Sequence, residues 1–305
     1  MKGKIVILTG STGVGKTALS LSLAQVFNAE IVNADSMQIY RYMDIGTAKP
    51  PPEERAIVPH HLIDIKYPDE DYDVSQFKAD ADRIIKDILN RERQVLVVGG
   101  TMLYLKILIH GIFPAPPVDM ALRQSLNQLA KERGREYLHQ RLKKIDPEAA
   151  KRIKPRDIVR LIRAIEVYEL TGKTISWHQK RHHFGKQDYD CLKICLYRPR
   201  EILYRHIENR VEEMFKQGLV EEVEKLLKMG YKTSLKSMQA IGYRHVIAYL
   251  EGKHTLEEAK FLIKRDTRRY AKRQLSWFRQ EKNIVWYLPE EKERIKSAIS
   301  QFLEK

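Results

Sequence analysis

Gly10-Ser11-Thr12-Gly13-Val14-Gly15-Lys16-Thr17 matches G-x-x-x-x-G-K-[ST], the pattern of a phosphate-binding loop. Glycines at these spacings let backbone N–H groups turn inward around an oxyanion, and the helix that follows adds its positive end. Lys16 supplies a point charge to the phosphates, and the Thr17 hydroxyl can hold Mg²⁺. The octet follows an apolar run and opens a helical pattern, which is the context this chemistry needs. Asp35 lies where a second strand pattern, 30–33, ends. In open α/β sheets ligands bind at the carboxyl ends of strands, and a carboxylate there can take a proton from an incoming nucleophile. The competing reading is a plain turn or cap aspartate. Thr101 ends a third run, 94–98, after Gly99-Gly100. Its hydroxyl could donate to a phosphate or bridging oxygen, or cap the next helix.

A nucleotide triphosphatase would also want a carboxylate at the end of a buried strand beside the loop. The run 94–98 ends in Gly-Gly-Thr instead, and Leu62-Ile63-Asp64 is the only loose substitute. The loop is therefore expected to hold a diphosphate as a leaving group, with a small-molecule kinase left open. Cys191 and Cys195 share one face of a strand pattern and read as buried thiols. His60-His61 and His182-His183 lack a second ligand pair at zinc spacing, so a structural zinc is not expected.

These residues need a scaffold. Strand patterns at 4–8, 30–33, 62–65 and 94–98 alternate with helical patterns at 16–27, 76–90 and from 102 onward. That alternation predicts an α/β fold, a parallel sheet with helices on both faces. The Pro-rich stretch Gly111-Ile112-Phe113-Pro114-Ala115-Pro116-Pro117 predicts a linker. From 118 to 186 the spacing is helical, with Asp146-Pro147 as one helix start and an amphipathic helix over 156–170. Strand character returns at 191–197 and again at 284–288. The expected architecture is a core of residues 1–117 and 187–305, interrupted by an all-helical insertion at 118–186.

Charge adds a partner class. The 305 residues carry a net +15, distributed unevenly. Residues 1–120 hold 13 Lys+Arg against 15 Asp+Glu, and residues 121–305 hold 42 against 25. A near-neutral first part and a strongly basic remainder suggest a reaction core joined to a polyanion-binding surface. Acidic residues interleave along 212–228 and 257–264, so part of this charge is solvated helix surface. Residues 267–279 mix five cations with Tyr270, Trp277 and Phe278. The cations suit phosphates, whereas the aromatics at helical spacing read as core. Arg156, Arg160 and Arg163 recur on one helix. Two cysteines and the absence of a leader-like segment suggest a cytoplasmic chain. No uncharged run approaches the roughly 20 residues of a membrane helix.

Taken together, Gly10–Thr17, Asp35-Ser36-Met37-Gln38-Ile39-Tyr40, Ile45-Gly46-Thr47-Ala48-Lys49-Pro50 and Pro59-His60-His61-Leu62-Ile63-Asp64 resemble the tRNA dimethylallyltransferase (tRNA isopentenyltransferase) family of bacterial type. So do Gly99-Gly100-Thr101, Gln239-Ala240-Ile241-Gly242-Tyr243-Arg244 and the stretch 267–279. The resemblance runs almost end to end. It implies a P-loop kinase-like core with a helical insertion that helps clasp the anticodon stem-loop. It also implies transfer of dimethylallyl from its diphosphate to N6 of the adenosine 3′ of the anticodon. By position it makes Asp35 the general base, Thr101 a donor near the bridging oxygen, and Lys16 a catalytic cation. Gly10, Ser11, Thr12, Gly13, Val14, Gly15, Lys16, Thr17 and Arg160 become diphosphate-binding, with Mg²⁺ on Thr17. The tRNA-binding set is Asp35, Ser36, Met37, Gln38, Thr101, Arg123, Val159, Arg160, Leu161, Ile162, Arg163, Gln239, Gly242, Tyr243 and Arg244. The family's D-P-Q-R-x-x-R appears here as Asp157-Ile158-Val159-Arg160-Leu161-Ile162-Arg163, without its Pro-Gln pair. Gly-Gly-Thr is followed by Met102-Leu103-Tyr104 rather than Gly-Leu-Tyr. A monomer without a C-terminal zinc finger is expected. The alternatives are a small-molecule kinase and a non-catalytic RNA-binding module.

Overall fold

In the computed structural model, which describes residues 2–182 and 188–305, β1 (Lys4–Gly10) is the centre of a parallel sheet. The other strands are β2 (Ala29–Asn33), β3 (His60–His61), β4 (Gln94–Val98), β5 (Asp190–Leu196) and β6 (Ile284–Tyr287), in the order β3-β2-β4-β1-β5-β6. Every pairing is parallel. Strands β1, β2, β4 and β5 send apolar residues into core clusters on both faces of the sheet, because both faces are covered. Successive side chains point to opposite faces, and on β1 Val6 and Leu8 enter one core cluster while Ile5 and Ile7 enter the other.

The chain divides into two compact units. The first is Met1–Ile109 with Asp188–Lys305. Its early helices are α1 (Lys16–Val26), α2 (Pro52–Ile57), α3 (Val74–Asn90) and α4 (Met102–His110). Helix α1 packs Leu19 and Leu23 on one sheet face, and α3 packs Phe77, Ala81, Ile85 and Ile88 on the other. The third strand is shorter and earlier than the pattern at 62–65 suggested. Leu62 and Asp64 adopt φ of +61° and +55°, which a strand cannot accommodate.

The second unit, His110–Gln187, contains α5 (Met120–Arg133), α6 (Arg135–Ile145), α7 (Pro147–Arg152), α8 (Ile158–Thr171) and α9 (Ile175–His182). It has its own core, including Leu126, Leu138, Leu142, Leu161 and Ile165. The Pro-rich stretch belongs to this unit: Arg163 Nη2 donates to the Pro116 carbonyl at 2.9 Å, and Phe113 stacks on His178. Helix α8 begins two residues later than the pattern at 156–170 predicted, because Asp157 caps it by accepting from Arg160 N–H. The boundary expected at 186–187 and His183 lie outside the described residues.

The first unit continues through α10 (Arg200–Lys216), α11 (Leu219–Lys228), α12 (Tyr243–Leu250), α13 (Leu256–Phe278) and α14 (Lys292–Glu304). Helices α10 to α13 enclose a third cluster that includes Ile39, Met43, Val223, Tyr243, Val246 and Ile263. It anchors the segment after Asp35 beneath helices that come nearly two hundred residues later. No described helix is long and apolar enough to cross a membrane.

Candidate active site

Strand β1 delivers the chain into the glycine-rich loop, and α1 leaves from it. Val14, fully buried, pins the loop to the core. Gly13 has φ +78°, and a Cβ there would lie 2.9 Å from Ile207 of α10, so the turn admits no side chain. Lys16 Nζ donates to the Gly10 and Ser11 carbonyls, both at 2.9 Å. Ser11 Oγ is buried with no hydrogen-bond partner among the described residues. A buried hydroxyl of this kind wants an acceptor, and a phosphate oxygen in the loop would provide one.

The ends of β2 and β4 meet beside the loop. Ala34 N–H donates to Val98 O at 2.7 Å, and Thr101 N–H donates to Ala34 O at 3.2 Å. A Cβ on Gly99 would lie 2.2 Å from Ala34 O, so this crossing requires glycine. Asp35 Oδ1 accepts from Met37 N–H at 2.9 Å. Thr101 Oγ1 accepts from Ser36 N–H at 2.9 Å and donates to Ser36 Oγ at 3.3 Å. Ser36, next in the chain to Asp35, and Thr101 are thus hydrogen-bonded to each other, and the Asp35 carboxylate is held by Met37. Further along, Gln38 Nε2 donates to the Thr47 and Ala48 carbonyls.

Two helices close over this floor. On α10, Arg210 Nη1 donates to Thr12 Oγ1 at 3.3 Å. On α13, buried Gln274 bridges the loops: its Oε1 accepts from Thr12 N–H at 2.9 Å and its Nε2 donates to Gly100 O at 2.8 Å. Tyr270 lies one turn before it. Burial pushes Lys16 down to about 8, partly opposed by the Asp35 charge and assisted by Arg210. Burial also lowers Arg210, again opposed by Asp35, and raises the Tyr270 phenol, with Asp35 adding to the rise. Two desolvated cations share one carboxylate, so the cleft has an unmet demand for negative charge.

Residues 38–281 match the family model described as IPP transferase. The chain belongs to the IPP transferase family. It is 50% identical over 285 residues to tRNA dimethylallyltransferase 2 of Geotalea uraniireducens, covering 93% of this chain and 92% of that one. It is 48% identical over 303 residues to tRNA dimethylallyltransferase of Desulfatibacillum aliphaticivorans, covering 99% of both. Among solved structures, the full-length tRNA isopentenylpyrophosphate transferase of Bacillus halodurans matches with a TM-score of 0.74 at 41% identity, over 99% of this chain and 97% of that chain. A eukaryotic dimethylallyltransferase acting on tRNA matches with a TM-score of 0.76 at 31% identity, over 90% of this chain and 69% of that chain.

Several expectations change within this IPP transferase. Tyr243, Leu161 and Ile162 are core residues, at 0%, 0% and 5% exposure, and cannot offer side chains to RNA. The Tyr243 hydroxyl donates to Glu222 at 2.6 Å. That carboxylate also accepts from Asp44, Ile45 and Gly46 N–H groups at 2.8–3.1 Å, tying the 44–46 turn to α11. Arg123 and Arg163 converge on fully buried Glu166, Arg123 with two bonds of 2.9 and 3.0 Å and Arg163 with one of 2.6 Å. Burial alone would raise that carboxyl, but the two guanidinium groups and Asp119 N–H hold it below its usual value. Arg160 and Val159 face outward, and among the described residues Arg160 pairs only with Asp157. Gln239 is exposed with its amide on Thr233 O, Gly242 opens α12 at φ +100°, and Arg244 pairs with Asp266 at 2.7 Å. Asp64 is held by Lys49 and Arg55, both at 2.6 Å. It therefore does not serve as a strand-end metal ligand. Burial raises both thiols, Cys191 and Cys195, to about 12, so they are inert.

Arg210, Gln274 and Glu222 were missed from sequence. The signal was there for two of them: Arg210 lies on the stripe of Leu203, Ile207, Val211 and Met214, and Gln274 lies between Ala271 and Phe278. A polar residue on an apolar stripe asks for a partner. For magnesium, no group of three or more His, Cys, Asp or Glu is arranged to hold a metal among the described residues. The donors beside the loop are the hard oxygens of Thr17 and Asp35. That set suits an ion that keeps its waters and binds chiefly through the ligand's phosphates.

Proposed function

We propose that the chain transfers a dimethylallyl group from dimethylallyl diphosphate to N6 of the adenosine on the 3′ side of the anticodon in tRNA, releasing diphosphate. The observation that carries this reading is the cluster of Asp35 and Thr101 facing a phosphate loop whose cations, Lys16 and Arg210, lack a full counter-charge. The names of the relatives supply the substrates.

Lys16 turns from its two carbonyls to the diphosphate, joined by the loop N–H groups, the Ser11 hydroxyl and Arg210. The C1–O bond of the donor breaks with its electron pair going to the bridging oxygen, where the Thr101 hydroxyl donates. Fixed donors aimed at developing charge are usually the largest catalytic contribution. The Thr17 hydroxyl would hold Mg²⁺, which would supply positive charge to the leaving group. The adenine amine is a weak nucleophile and must be held in line with C1. As N6 bonds to C1, Asp35 takes its proton. Gln274 and Met37 N–H keep the loop and the carboxylate at fixed separation. The target base leaves its stack to enter the cleft, which costs less in a loop than in a duplex. Outward-facing Arg160 and Arg156 of the inserted unit grip stem phosphates, while Arg123 and Arg163 brace that unit internally.

The test is single-turnover transfer from labelled dimethylallyl diphosphate to unmodified tRNA, with Asp35→Asn alongside. Transfer should occur in the parent and slow by about a hundredfold or more in the variant, with donor affinity little changed. ATP consumption without label in tRNA would turn the reading to a kinase.

A further inference from the structure

Between the start of α10 and the last turns of α13 lies a cavity of about 220 Å³ that the chemistry above does not use. Leu203 and Leu275 form its floor, and Arg198, Arg200, Lys272 and Arg279 stand around it. Arg198 is already engaged, pairing with Glu290 at 2.6 Å and donating to Val14 O at 3.1 Å. Arg200, Lys272 and Arg279 have no carboxylate partner among the described residues. Helix α10 starts here with no side-chain cap on its first turn among the described residues.

We propose that this cavity is a second binding site for a short prenyl diphosphate, separate from the phosphate loop. Three uncompensated cations and an open helix N-terminus match a diphosphate in charge. The aliphatic floor matches a branched five-carbon chain. A nucleotide fits less well, because the Tyr204 ring is already taken by the Arg200 and Arg268 guanidinium groups, 5.0 and 5.7 Å from its centroid. An RNA backbone phosphate would use the cations and leave the floor empty. The separation follows from helix geometry: Lys272 and Arg279 lie about half a turn of α13 away from Tyr270 and Gln274, which face the cleft. The bond from Arg198 to Val14 O ties the rim of the cavity to the backbone of the loop.

The ligand class rests on the proposed donor, and the test counts binding apart from turnover. Equilibrium dialysis of the full chain with labelled dimethylallyl diphosphate, without tRNA, should give two molecules per chain. The double variant Lys272→Glu/Arg279→Glu alters exposed residues only and should retain one, with the second weakened by about a hundredfold or more. Lys16→Met should retain the other. Inorganic diphosphate should bind the second site at least about tenfold more weakly than the prenyl ligand, because it leaves the floor empty. One molecule per chain in the parent, or two tight ones in the double variant, would overturn the proposal. So would a double variant that loses only stem-loop affinity, since its cations would then serve RNA. Two donors bound by a parent that modifies no tRNA would retain this site and remove the proposed activity.

Discussion

Replacing Arg210 by alanine should cripple catalysis without weakening the fold. A guanidinium offers five N–H donors. Here one of them makes a 3.3 Å bond to Thr12 Oγ1, and the Asp35 charge opposes its burial. A buried cation so poorly satisfied costs folding free energy, and removing it should leave stability within about 1 kcal/mol of the parent or raise it. In the complex the same donors meet phosphate oxygens. A preorganised donor of this kind is worth about 2.7–4 kcal/mol in a transition state, so kcat/KM should fall by about 10²–10³. Thermal unfolding with and without inorganic diphosphate, alongside single-turnover transfer, measures both halves. The parent should gain Tm on adding diphosphate and Arg210→Ala should gain much less. A variant that unfolds several kcal/mol more easily yet keeps the diphosphate shift and the rate would refute this reasoning, making Arg210 a strut for Thr12.

With Lys16 lowered to about 8 in the free protein, diphosphate affinity should decline above that pH by up to about tenfold per unit, as binding must restore one proton. Lys16→Met should flatten this component in an isothermal titration series. The unfolded chain binds more protons at this lysine between about 8 and its ordinary 10.5, so its contribution to stability rises with pH across that window. Glu222→Ala strips the acceptor from three backbone N–H groups and Tyr243. It should cost about 3–5 kcal/mol in denaturant unfolding and weaken tRNA more than diphosphate binding; equal losses would show that the 44–46 turn does not support the RNA-facing segment. Arg160→Ala should lower the salt slope of stem-loop binding by about one, whereas Arg123→Ala, by removing one of the two guanidinium partners of buried Glu166, should chiefly lower the melting temperature. The opposite pattern would move the RNA contact to Arg123.

Chemistry written in consecutive residues was legible before any fold. The phosphate loop, Asp35 at a strand end and Gly99-Gly100-Thr101 are local patterns, because turn geometry and strand ends are dictated by neighbours a few residues away. The parallel sheet followed from short strand patterns with apolar centres alternating with helical ones, as strands covered on both faces require. What only the tertiary structure decided came from contacts between distant segments. Arg210 reaches Thr12 across 198 positions, Gln274 reaches Gly100 across 174, and Glu222 reaches the 44–46 turn across more than 170. On α8, arginines at 160 and 163 looked equivalent at helical spacing, yet one faces outward and the other pairs with buried Glu166. A helix's periodicity tells which residues share a face; which face is buried, and against what charge, is set by the elements that pack on it.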